Sequence, residues 1–285
     1  MGGKRDLARR AKRLAPACKQ GQARSCMLSL SANEEERMEL KNRRVLITGG
    51  TIGIGHALAQ ELGARGANVM ICSRDPARLD AALAQLPGAL GVVCDVGCPE
   101  ALPGLIDEAV CQLGGLDLLI NNAGIQLAWN LVGDPHPAKT AADQVAREIA
   151  VDLTAPILLC HLAVPHLVRG DAPAIVNVTS VLARQPKPSA PVYSAAKAGL
   201  RSFTRSLRSQ LRPQGIRVIE LVPPLVDTAM TRGRDIDTIS PATMAQASVA
   251  GLLAGSSEIR VGKARVAAWL DRLVPGLLAR MMARA

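Results

Sequence analysis

The sequence predicts an α/β protein built on one doubly wound parallel sheet, and two observations carry that expectation. From residue 43 onward, short runs rich in Val, Ile and Leu alternate with longer amphipathic stretches, and the runs are apolar at nearly every position. Strands that bury both faces belong to parallel sheets whose crossover helices cover both sides. The second observation is a glycine-rich turn, "TGGTIGIG" at 48–55, set between the first such run and the first helical stretch. Ligands of open parallel sheets bind beyond the carboxyl ends of the strands, and that turn lies there.

In order, the predicted strands are "RVLIT", "NVMICS", "LGVVCDV", "LDLLINNAG", "AIVNVTS" and "RVIELVPP". They alternate with "IGHALAQELGARG", "PARLDAALAQL", "PEALPGLIDEAVCQL", "ADQVAREIAVDLTAPILLCHLAVPHLV" and "YSAAKAGLRSFTRSLRSQLRPQG", which read as helices. The layout is Rossmann-type, with one domain over residues 38–259. Residues 1–37 lack sustained apolar periodicity and end in an acidic cluster, so they are expected to be a disordered extension; an Arg-rich targeting peptide is the rival reading. Residues 260–285 form a basic tail in which Val266, Trp269, Leu270, Leu273, Val274, Leu277, Leu278 and Met281 share one face of a helix that Pro275 should bend or split. That face suits packing on the core or on a partner subunit, or weak peripheral association with a membrane.

The net charge is +10, but the first 37 residues and the last 26 each contribute +5 and the body between them is neutral. Trp269 is the single aromatic residue of the basic ends, no aromatic interleaving accompanies them, and no specific nucleic-acid site is expected. The seven cysteines, Cys18, Cys26, Cys72, Cys94, Cys98, Cys111 and Cys160, are odd in number and lack C-x-x-C pairing, and they read as reduced and mostly buried. His161 and His166 stand apart from other metal-ligand types, and no metal is expected. No apolar run approaches the ~18 residues of a membrane span, and no signal peptide is recognisable, from which a soluble, cytoplasmic protein is expected.

The glycine turn does not suit a nucleoside triphosphate. Gly50 and Gly55 have P-loop spacing, but His56 follows where a phosphate-binding lysine is needed. The ordinary dinucleotide fingerprint from Gly53 and Gly55 ends on Leu58. What fits is T-G-x-x-x-G-x-G, through Thr48, Gly49, Gly53 and Gly55, with Ile54 inside the turn. Glycine permits positive φ and close approach of a pyrophosphate, while a helix N-terminus offers free N–H groups; a glycine turn without ligand is the bland alternative.

The chain has a single tyrosine, Tyr193, which opens "YSAAK" and places Lys197 one helical turn later on the same face. Ser180 ends the fifth strand thirteen residues earlier. A phenol is a poor acid–base group at neutral pH, but an adjacent ammonium favours its phenolate and brings the proton within reach.

In order and spacing, the glycine motif, Asp95 after the third strand, "NNAG" at 121–124 and the Ser180, Tyr193 and Lys197 set resemble the short-chain dehydrogenase/reductase family, over roughly residues 41–230. Pro224 in a usual glycine position, with "PVYSAAK" and "RVIELVPP", is similar to its bacterial DltE-like branch. By that resemblance Tyr193 is the general acid/base, Ser180 polarises the carbonyl, and Lys197 lowers the Tyr193 pKa and binds the nicotinamide ribose. Asp95 then holds the adenine edge, Asn122, Ala123 and Gly124 line the adenosine ribose, and Thr228 meets the carboxamide. "MELKNRRVLITGG" resembles a natural start for such a chain at Met38. Asp152 occupies a position where many members carry Asn, and an extra carboxylate there is expected to raise the Lys197 pKa.

The cofactor's 2′ position is read at the end of the second strand, where Ser73 replaces the usual acid and Arg74 can pair with a 2′-phosphate. Asp75 is expected to cap the next helix through "DPARL". NADP is therefore expected over NAD. The resulting expectation is a dehydrogenase/reductase interconverting a carbonyl and an alcohol, a homodimer or homotetramer associating through the helices of "ADQVAREI…" and "YSAAK…". A catalytically idle dinucleotide-binding scaffold or sensor on the same fold is the alternative.

Overall fold

The structure, a computed structural model, describes residues 39–128, 138–228, 231, 238–262 and 264. The expected extension over 1–37 and the whole of the expected C-terminal helical face, Val266 to Met281, lie outside these residues.

Seven strands form one all-parallel sheet: β1 (Arg44–Thr48), β2 (Asn68–Ser73), β3 (Leu90–Val93), β4 (Leu118–Asn121), β5 (Ala174–Val178), β6 (Arg217–Val222) and β7 (Glu258–Arg260). Their spatial order is β3-β2-β1-β4-β5-β6-β7, so the winding reverses between β1 and β4, where a crevice opens at the carboxyl ends. Helices α1 (Gly53–Ala64), α2 (Pro76–Leu83) and α7 (Pro241–Leu253) cover one face, and α3 (Leu102–Leu113), α5 (Ala155–Leu167) and α6 (Pro191–Leu211) the other. Alternate strand residues serve the two layers: Val45 and Ile47 pack towards α1, Leu46 towards α3 and α5. That double duty is why the strands read as unbroken apolar runs.

Four features depart from the sequence reading, the first being α7, Pro241–Leu253, which was not among the expected helices. The seventh strand was not expected; it contains Arg260, so the boundary drawn between residues 259 and 260 cuts an element of the sheet. The long fourth helix is composite: α4 (Ala138–Ile149) passes through a π-helical turn, Ala150–Thr154, into α5. The helix running Thr140–Leu167, 28 residues, is also long and apolar enough by length and composition to cross a membrane, contrary to the expectation of none. Its apolarity has a local cause, since Val151, Ala155, Leu159, Cys160, Ala163 and Leu167 pack into the core beneath the sheet.

At the amino ends of the strands, Arg44 and Asp117 tie β1 to the approach to β4. The Asp117 carboxylate accepts from Arg44 Nε and Nη2 at 2.8 and 2.6 Å, from the Arg44 amide at 2.9 Å and from the Asp171 amide at 2.8 Å.

Candidate active site

The glycine turn and the "NNAG" segment are locked to each other across the switch point. The Thr48 hydroxyl accepts from the amides of Asn122 and Ala123, both at 3.0 Å, and the Asn122 side-chain amide donates to the carbonyls of Thr48 and Gly49 at 2.9 and 3.0 Å. Gly53 has φ +59°, and a Cβ on Gly55 would fall 2.3 Å from both Asn122 Nδ2 and the Gly49 carbonyl oxygen. Only glycine satisfies both positions. α1 begins at Gly53 behind Ile52, which makes no side-chain cap, so its first N–H groups face the cleft without a capping oxygen. These features fit a pyrophosphate: a helix N-terminus with uncapped donors and a turn stripped of side chains.

Ser180, Tyr193 and Lys197 converge from two elements. Ser180 follows β5 and its hydroxyl accepts from the Leu182 amide at 3.1 Å, while Tyr193 and Lys197 project from the first turns of α6, which Pro191 starts. The Ser180 hydroxyl lies near enough to the phenol to favour its ionised form, and Lys197 Nζ lies 5.7 Å from the centre of its ring. Lys197 Nζ donates to the Val178 carbonyl at 3.1 Å and pairs with Asp152 Oδ1 at 3.0 Å. Asp152 is fully buried, and its other oxygen accepts from the Ile125 amide at 3.2 Å. An ammonium has three donors, so one is left for a ligand.

Burial lowers the pull of Lys197 on its proton, but Asp152 and the phenol more than reverse this, and its pKa stands above the ordinary lysine value, as the extra carboxylate predicts. Burial pushes the Asp152 carboxyl above the ordinary range against the Lys197 charge. Lys197 acts to lower the Tyr193 pKa as expected, but it does not prevail. Burial outweighs the ammonium, and the Asp152 carboxylate adds to it, so the phenol lies above its ordinary value.

At the other end of the cleft, Ser73 ends β2 and Arg74 is exposed just beyond it. Asp75 caps α2 as expected, accepting from the Arg78 amide at 3.2 Å. Asp95 is held by Arg147, whose Nη2 donates to its two oxygens at 2.6 and 2.8 Å. Burial works against it, but the Arg147 guanidinium and the Gly97 amide hold the Asp95 carboxyl below the usual range.

One cleft of about 410 Å³ joins these parts. Gly49, Gly53, Ile54, Ser73, Arg74, Asp95, Asn122, Ala123, Gly124, Tyr193, Lys197 and Thr228 line it, and Thr228 sits against Gly53. Thr48, Gly55, Ser180 and Asp152 stand behind that lining, their polar atoms or space used to hold neighbours. Sequence reasoning missed Arg147, Val151 and Pro223 in the wall. The spacing of Arg147 and Val151, four apart on a helix, was visible, but nothing in the sequence pairs Arg147 with Asp95. Among the described residues no group of three or more His, Cys, Asp or Glu could hold a metal, and of the five described cysteines, all free thiols, Cys72, Cys94 and Cys160 are buried while Cys98 and Cys111 are exposed.

Residues 43–238 match the short chain dehydrogenase family model. The chain is 39% identical over 228 residues to the uncharacterized oxidoreductase DltE of Bacillus subtilis, covering 78% of this chain and 89% of that one. It is 32% identical over 206 residues to human dehydrogenase/reductase SDR family member 4, covering 71% and 72%. Two crystal structures of short chain dehydrogenases from Burkholderia cenocepacia J2315, each in complex with NADP, superpose with TM-scores of 0.68 and 0.75 at 30% and 27% identity. They cover 76% and 86% of this chain and 92% and 99% of theirs. With that sheet, that glycine turn and these relatives, the chain belongs to the short-chain dehydrogenase/reductase family of oxidoreductases, in its DltE-like branch.

Proposed function

We propose that the protein is an NADP-dependent dehydrogenase/reductase that interconverts a carbonyl and an alcohol at the cleft between β1 and β4. The convergence of Ser180, Tyr193 and Lys197 at one end of a cleft whose other end carries the glycine turn and Arg74 is the observation that supports it. A nicotinamide held there would supply the hydride chemistry at the substrate carbon. Tyr193 gives or takes the proton at the substrate oxygen, and Ser180, beside the phenol, holds that oxygen in place. Lys197 keeps one donor for the ribose hydroxyls and presents its charge to the phenol, while Asp152 and the Val178 carbonyl fix its Nζ. Ile54 and the amides at the start of α1 would hold the pyrophosphate, Asn122, Ala123 and Gly124 the adenosine ribose, Thr228 the carboxamide, and Arg74 the 2′-phosphate. The NADP-bound relatives support that last assignment.

A panel of aldehydes, ketones and alcohols assayed with NADPH, NADP, NADH and NAD tests the reading, with Tyr193→Phe as control. The variant should lose at least about 100-fold in turnover, the range of a lost general acid–base group, with NADPH binding retained. Retention of more than about a tenth of wild-type turnover defeats the assignment.

A further inference from the structure

Arg147 has no part in the reading above, yet it stands on the wall of the same cleft beside Asp95. Its guanidinium reaches from the end of α4 to the turn after β3 and grips both Asp95 oxygens, and Asp95 Oδ1 also accepts from the Gly97 amide at 2.9 Å. The remaining amino group packs against Gly97, where a Cβ would fall 2.0 Å from Nη1 and 2.6 Å from Cζ. Glycine at 97 is thus the space that the guanidinium occupies. Both side chains remain partly exposed to the cleft, 28% for Arg147 and 32% for Asp95.

Paired at this distance, the two side chains cancel in charge, so a phosphate gains little from Arg147. What the pair offers is an edge of one donor group beside one acceptor group, since five guanidinium N–H groups and about four carboxylate lone pairs are not exhausted by their mutual bonds. Adenine presents the complement, an exocyclic amine that donates beside a ring nitrogen that accepts. Hypoxanthine replaces that amine with a carbonyl oxygen, which cannot donate to Asp95.

We propose that Arg147 is a cofactor-binding residue of this chain, which with Asp95 reads the amine edge of adenine and so anchors the adenosine end regardless of the 2′-phosphate. The assignment rests on the dinucleotide reading given above. It is tested by titration calorimetry of NADPH, NADH and nicotinamide hypoxanthine dinucleotide against full-length wild type, Arg147→Met and Gly97→Ala. The first variant removes the guanidinium and keeps the stem. The second displaces the guanidinium without altering Arg147, the next atom to the new methyl being Val151 Cγ2 at 3.0 Å.

Wild type should bind NADH more tightly than the hypoxanthine analogue. Each variant should weaken NADPH and NADH by the same factor, about 10-fold for a charge-assisted hydrogen bond, and narrow the preference for adenine. The double variant should lose no more than Arg147→Met alone. If Arg147→Met does not fold, Gly97→Ala carries the same expectation. Unchanged affinities overturn the proposal, and so does a loss confined to NADPH, which makes Arg147 a phosphate ligand. Wild type that binds neither NADPH nor NADH overturns the dinucleotide reading and this assignment with it, whereas tight wild-type binding with indifferent variants overturns the assignment alone.

Discussion

Asp152 shows how one side chain changes the electrostatics of a site whose outline is otherwise that of its family. Its carboxylate sits 3.0 Å from Lys197 Nζ in full burial, where a charge is weakly screened, and it raises both the ammonium and the phenol that the ammonium serves. Asp152→Asn keeps the size and removes the charge. Alcohol oxidation needs the phenol deprotonated, so with the raising charge gone the pH–rate profile for oxidation should move to lower pH; a profile that stays in place shows that the carboxylate does not reach Tyr193. Arg74 offers the second residue-scale test. Arg74→Ala should weaken NADPH by about 1.5–3 kcal/mol, the usual worth of a hydrogen bond to a charged group, and leave NADH nearly untouched, as read by equilibrium titration. These residues were legible because each occupies a fixed offset from a strand end. Arg147 was not, because its partner Asp95 lies 52 positions away and only the folded sheet brings them together.

At the scale of elements, the site depends on three pieces held by a buried polar chain. Asn121 at the end of β4 donates to the Asn177 side chain of β5 at 2.8 Å, and Asn177 donates to Thr204 of α6 at 2.9 Å. Asn177 and Thr204 are fully buried, so removing the middle link leaves Asn121 only its longer contacts to the Pro156 carbonyl and Cys160 Sγ, and takes from Thr204 the donor it accepts, in a place without water. Asn177→Ala should cost about 1–3 kcal/mol in denaturant unfolding and lower turnover more than that loss explains, because α6 carries Tyr193 and Lys197. A variant as stable as wild type would show that the chain adds nothing. Element existence was readable from periodicity for six strands and five helices. The seventh strand was not, because Glu258, Ile259 and Arg260 form three residues with two charges, a pattern that becomes a strand only by pairing with Glu220, Leu221 and Val222 of β6. The π-helical turn at 150–154 was also unreadable: nothing in "AVDLT" opposes an ordinary helix. It falls on the segment that delivers Asp152 to Lys197, consistent with the tendency of such turns to lie at functional sites.

For the whole molecule, the proposed site occupies the carboxyl ends of the strands and the opposite ends carry ties that serve stability. Burial works against the Asp117 carboxylate, yet the Arg44 side chain, the Arg44 amide and the Asp171 amide hold its pKa below the ordinary 3.8. A carboxyl whose folded value is depressed stabilises the fold above its unfolded value and loses that contribution as pH falls through the folded one. Acid unfolding of wild type should therefore steepen below about pH 3.8 and weaken on Asp117→Asn, whose deficit against wild type should be full at neutral pH and shrink towards pH 3. A deficit independent of pH would assign the effect to packing. Fold class was legible at this scale because strand and helix periods were consistent along the chain, each strand feeding two apolar layers.

The chain contains one tyrosine, and that residue is the buried one beside Ser180 and Lys197. Every phenolate absorption change of the protein therefore originates at the candidate active site. Ultraviolet difference spectra of the unmodified protein titrate the proposed acid/base group directly, and tyrosine fluorinated at the ring gives a single fluorine resonance for the same proton. Ligand entry, cofactor loading and the Asp152→Asn change each become visible as shifts of one optical band, without a label placed by mutation.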